Sequence, residues 1–176
     1  MNTSTPSHIG TRTLVLAALF VSLSFVGANI KVMGTIAFDA MPAFLGALIL
    51  GPWWGAAIGA LGHLLTAFTS GFPLTLPIHM GVAFTMALTM IAFYFARKIT
   101  ISALGQNGSL LTAVVMGTIM NGPVSLMMTS PLLVPIMGWE ATIGMMLPLS
   151  IVGCVNALLA AVIYRLLPQS ITRSVR

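Results

Sequence analysis

Two polar stripes run through an otherwise apolar chain. Residues 51–63 read GPWWGAAIGALGH, with glycine at 51, 55 and 59 and His63 at the next step of four. Thr66 and Ser70 continue on from His63 at offsets of three and seven, the spacing of one helix face. The second stripe is Thr118, Asn121, Ser125 and Thr129. His79, Trp139, Glu140, Asp39 and Lys31 complete the polar or aromatic residues placed near one rim. The acid and base inventory is small: Asp39, Glu140, three histidines and one cysteine, Cys154. No two carboxylates are close enough in sequence to divide acid and base roles. H-E-x-x-H for zinc, G-x-S-x-G for a nucleophile and a phosphate loop are all missing from the sequence. Enzyme chemistry, a metal site and a resident cofactor are therefore not expected. What these residues can do is hold a small molecule by hydrogen bonds.

The expected binding residues are His63, Thr66, His79, Asn121 and Ser125, with Trp139 stacking on an aromatic ligand. Each has a structural alternative. His63 could be a neutral ring bonded to Asn121 or to a helix carbonyl, and Trp139 could anchor the chain at a membrane interface. Asp39 reads as a helix cap, Lys31 as solvated and Asn156 as mainly structural. Methionines such as Met116, Met120, Met127, Met145 and Met146 fall on the helices expected to bound the pocket, where they would fill gaps or hold a flat apolar ligand.

The elements that must position these groups follow from composition. Of 176 residues, 58% are hydrophobic and 5% charged, and no charged side chain occurs between Asp39 and Arg97. A soluble domain carries about a quarter charged residues, so this is an integral membrane protein. Apolar runs at about 13–30, 39–50, 53–70, 78–96, 110–129 and 142–166 predict an all-α, six-helix transmembrane bundle over residues 1–176, its second helix short. Asp39 and Pro42 suit the start of that helix. SGFPLTLP reads as a turn, GQNGS as a polar linker and SPLLVPIMGWEA as a proline-punctuated outer loop. Arg12, Arg97, Lys98, Arg165, Arg173 and Arg176 gather on one side and place both termini in the cytoplasm. The polar N-terminus reads as a retained tail rather than a signal peptide. The net charge of +5 belongs to this orientation signal and not to nucleic-acid binding. Gly51, Gly55 and Gly59, flanked by Ala56 and Ala60, predict close packing of the third helix. Buried charges for ion coupling, a repeated pore lining and inverted repeats are not evident. The chain reads as a capture protein that needs a partner for energy.

Over nearly its whole length the chain resembles the substrate-binding (S) components of energy-coupling factor (ECF) vitamin transporters. The most specific part is FDAMPAFLGALILGPWWGAAIGALGH, residues 38–63. The resemblance implies an outward-facing pocket in a bacterial cytoplasmic membrane protein. It also implies a transmembrane coupling protein and two cytosolic ATPases as partners. The family's Ala-x-x-x-Ala contact on the first helix appears here as Ala18 and Ser22. The N-terminus Met1-Asn2-Thr3 lacks the early histidine of nickel and cobalt members. The run GHLLTAFTSGFPLTLPIHM, residues 62–80, looks most like members assigned to α-ribazole, a cobalamin precursor. Riboflavin, pantothenate and a thiamine precursor stay open, as does a membrane scaffold whose polar stripes only join helices.

Overall fold

The computed structural model describes residues 10–29, 31–32 and 36–168, without the side chains of residues 31, 32, 36 and 37. The side chain of Lys31, residues 33–35, and Arg173 and Arg176 thus lie outside the described residues. The order is α1 (Thr11–Gly27), a two-stranded antiparallel ribbon of β1 (Lys31–Val32) and β2 (Ile36–Ala37), α2 (Met41–Leu50), α3 (Pro52–Thr69) and α4 (Leu76–Ile119). A π-helical turn, Met120–Val124, leads into α5 (Ser125–Met137), α6 (Trp139–Gly144) and α7 (Met146–Leu166).

The architecture is helical, as expected, but the element order does not reproduce the count of six. The regions expected as separate helices at 78–96 and 110–129 share α4. Its only non-helical residue is Gly105, at φ 65° and ψ −170°. That conformation suits glycine, and it reverses the chain without a loop. Gly81 faces Thr129 and Leu132, Thr85 bonds Ser125, Gly117 faces Phe93, and Arg97 bonds Gln106. As one partner's number rises the other's falls, so the limbs on either side of Gly105 run antiparallel. The expected GQNGS linker is therefore a one-residue break, with Gln106–Ser109 already helical.

The expected proline-rich loop is also helix, through Met137 and again from Trp139. A proline removes one helix donor, but in an apolar setting a neighbouring hydroxyl can serve the freed carbonyl. Ser130 does this: its Oγ donates to Met127 O at 2.8 Å, the carbonyl that Pro131 leaves unbonded. The real break is Gly138, at φ 82°. The turn expected at SGFPLTLP is present between α3 and α4.

The glycine ladder, together with Gly62, packs three helices onto α3. A Cβ at Gly55 would stand 2.5 Å from Ala47 Cβ on α2, one at Gly62 2.7 Å from Ser24 Cβ on α1, and one at Gly59 3.3 Å from Met90 on α4. Gly51, at φ 98°, makes the corner between α2 and α3. Phe44, Phe93, Ile58 and Met90 are fully buried in the core so formed. The outside is apolar as well: Leu14, Phe68, Ile99, Met127 and Leu147 are exposed. The helical regions Leu76–Met137 and Trp139–Leu166 are long and apolar enough to cross a membrane, and α1 and α2 are shorter apolar helices.

Candidate functional site

At the end of the bundle where α3 turns into α4, side chains from five elements enclose a cavity of about 100 Å³. His63 comes from α3, His79 and Met86 from α4, Asn121 from the π-turn, Ser125 and Thr129 from α5, and Asn156 from α7. Leu74, Ile78, Leu126 and Leu149 supply much of the apolar wall. Asp39, just before α2, closes one side.

His63 pairs with His79 and not with Asn121: His63 Nε2 lies 3.1 Å from His79 Nδ1. On its other edge, His63 Nδ1 stands 3.7 Å from Asp39 Oδ2. His79 is buried, and its Nε2 has no hydrogen-bond partner among the described residues. The turn that delivers His79 is strained. Phe72 and Thr75 have positive φ (50° and 83°), and Thr75 is β-branched; such residues cost on the order of 1–3 kcal/mol each and collect at functional sites. The Phe72 ring lies 5.8 Å from that of His79.

Asn121 owes its position to the π-turn. One extra residue per turn rotates the side chains that follow, a device frequent at functional sites. Pro123, inside the same turn, has no N–H for a regular ladder. Asn121 packs over Gly153 of α7, where a Cβ would stand 3.2 Å from its Nδ2. Among the described residues its amide has no hydrogen-bond partner. The nearby hydroxyls are engaged. Ser125 and Thr85 share a bond of 2.6 Å, and Thr129 donates to Ser125 O at 2.8 Å.

Of the residues expected at the site, the structure brings His63, His79, Asn121 and Ser125 to one cavity. Thr66 does not line it; it is buried and its hydroxyl donates to Gly62 O at 2.9 Å. Trp139 is exposed at the start of α6 and is not among the lining residues. Of the methionines singled out, Met145 lines the cavity, while Met116, Met127 and Met146 are exposed on the outside. Asp39 is not the cap of α2: Ala40 holds the N-cap position with no side-chain bond. The missing cap comes from Asn156, whose Oδ1 accepts from Met41 N at 3.0 Å while its Nδ2 donates to Val152 O at 3.0 Å. A lone amide on an apolar helix was the only hint of that role in the sequence. Thr129 was marked only by its place in the second polar stripe, and Met86 carried no hint at all. Among the described residues, no group of three or more His, Cys, Asp or Glu side chains is placed to hold a metal ion.

This arrangement can hold a small molecule by hydrogen bonds. A buried imidazole nitrogen and a carboxamide face apolar walls, and a buried polar atom without a partner is costly unless a ligand or water serves it. The family model for the substrate-specific component of ECF transporters matches residues 12–174. The chain belongs to that family. No curated protein and no solved structure matches it. As an S component it is a membrane-embedded substrate-binding subunit of a transporter rather than an enzyme, and it works with an ECF module. Nothing in the family assignment specifies the substrate.

Proposed function

We propose that this S component captures a vitamin or vitamin precursor in the cavity between α3, α4, α5 and α7, and that the ligand is α-ribazole. The observation that carries the reading is the convergence of His63, His79 and Asn121 among apolar walls. A bicyclic aromatic base would lie against Ile78, Leu126 and Met86, and its ribose hydroxyls would meet Asn121 and His79. The residues 62–80 that resemble α-ribazole members supply both histidines. Pockets for drug-sized ligands run to about 300–1,000 Å³, so the ligand must part the walls of this contracted cavity. Met86 and Met145 are flexible enough to yield. Calorimetry with α-ribazole, riboflavin and pantothenate tests the choice. Binding of riboflavin or pantothenate alone would replace the vitamin, and no binding of any would remove the reading.

In this reading the chain crosses the bacterial cytoplasmic membrane six times, the two limbs around Gly105 counting separately. Both termini are cytoplasmic and the cavity opens outward. The energy comes from two cytosolic ATPases through a transmembrane coupling protein. Ala18 and Ser22 would form the sliding contact with it. Both are exposed on α1, and the Ser22 hydroxyl is satisfied by Ala18 O at 2.9 Å, which leaves a small, dry surface for close helix approach. Ala18→Trp should abolish uptake in cells while ligand binding by the purified subunit is unchanged. Uptake at the normal rate would place the contact on another helix.

A further inference from the structure

Asp39, His63 and His79 form a line along the cavity wall. Asp39 Oδ2 faces His63 Nδ1 at 3.7 Å, His63 Nε2 faces His79 Nδ1 at 3.1 Å, and His79 Nε2 is buried with no partner. A neutral imidazole carries one N–H and one bare lone pair. Between the two facing ring nitrogens, therefore, one donates and the other accepts. With both rings neutral, only two arrangements satisfy that bond. In the first, His63 is protonated on Nδ1, toward the carboxylate. Its Nε2 then accepts from His79 Nδ1–H, and His79 Nε2 is left as a bare acceptor. In the second every role is reversed, and the lone pair of His63 Nδ1 points at a carboxylate oxygen.

A separation of 3.7 Å is too long for a hydrogen bond. The electrostatic preference nevertheless survives, because charge acts over that distance with little screening in an apolar wall. Among the described residues, Asp39 is the only one with an acidic side chain lining the cavity, and no Lys or Arg lines it. None of these lining residues opposes the bias. In imidazoles the proton on one nitrogen is commonly set by what the other faces.

We propose that Asp39 is a positioning residue that fixes the tautomers of His63 and His79, so that the buried Nε2 of His79 keeps a bare lone pair, and a ligand that parts the cavity wall to reach it must bring an N–H or O–H donor. The inference rests on the cavity being the binding site. It narrows the ligand class to molecules with a hydroxyl or amine hydrogen at that wall, and it disfavours a carbonyl or anionic oxygen there. A sugar hydroxyl satisfies it.

The test uses the full chain in lipid nanodiscs without ligand, so that its outcome is independent of which vitamin binds. Nitrogen-15 histidine is incorporated in a His8→Gln background, and long-range nitrogen–proton correlations are recorded at about pH 8, above the ordinary imidazole range. His63→Gln and His79→Gln spectra assign the two rings. Both rings should carry their proton on Nδ1 in the otherwise unaltered chain. In Asp39→Asn the reversed arrangement should rise to a comparable population. A proton on His79 Nε2 before substitution would overturn the proposal, as would tautomers that do not change in Asp39→Asn. If that variant fails to fold, the spectrum of the chain with Asp39 intact still decides the first point. Failure of α-ribazole to bind would retire the vitamin and leave the tautomer result standing.

Discussion

The two ends of the bundle both bury polar side chains, and they do so for different ends. At the end near Gly105, Arg97 is only 3% exposed. Its Nη2 donates to Gln106 Oε1 at 2.9 Å and lies 3.4 Å from Tyr164 Oη, and its guanidinium stands 4.9 Å from the centre of the Tyr164 ring. Three segments are tied together there: both limbs of α4 and α7. At the cavity end, His79 Nε2 and the half-buried Asn121 amide have no hydrogen-bond partner among the described residues. The Arg97 guanidinium bonds two side chains from other segments, with its Nε alone left unpaired among the described residues, and the cluster reads as architecture. The cavity end is incomplete by itself, and completion by a ligand is the mark of a binding site.

The comparison breaks most visibly at Arg97. Arg97→Ala should lower thermal stability by about 2–4 kcal/mol, because it strands Gln106 and leaves a void beside Tyr164. Ligand affinity, measured on the folded fraction, should hardly move. A large loss of affinity with normal stability would make Arg97 part of the binding machinery. Asn156 sharpens the contrast because it belongs to both categories: it caps α2 through Met41 N and lines the cavity. Asn156→Ala should cost about 1–2 kcal/mol of stability, the usual cost of losing a cap, and should weaken binding as well. A change in only one of these two readouts would assign it to a single role. Thr66 marks the low end. Its hydroxyl only returns to Gly62 O, so Thr66→Ala should shift stability by less than about 1 kcal/mol and leave affinity within error. A clear loss of binding there would mean that the cavity extends further along α3.

The sequence made the cavity end partly legible because polar side chains in an apolar chain are few and rarely idle. The His63 and Asn121 stripes sat at helical spacing, and the turn between His63 and His79 was marked by glycine and two prolines. What could not be read was partner choice. His63 meets His79 rather than Asn121 because the turn folds α4 back along α3, a tertiary fact with no periodicity of its own. The glycine ladder announced close packing, though not that Gly55, Gly59 and Gly62 each meet a different helix. The prolines of 130–141 misled in the other direction. They signal a loop in water, but a neighbouring serine can mend the ladder in an apolar setting, as Ser130 does. Asp39 looked like a cap by type and position, while the cap itself arrives from Asn156, more than a hundred residues away.

The central claim is that a ligand completes the polar atoms of the cavity, and Asn121 tests it most directly because its amide has no other partner among the described residues. Calorimetry should compare the unaltered chain with Asn121→Ala, using whichever of α-ribazole, riboflavin and pantothenate the unaltered chain binds. A ligand group stranded in the cavity without its hydrogen bond costs about 1–3 kcal/mol, so the account predicts affinity weaker by roughly tenfold or more, with thermal stability nearly unchanged. Equal affinity in the two proteins would contradict it and move the binding site out of this cavity.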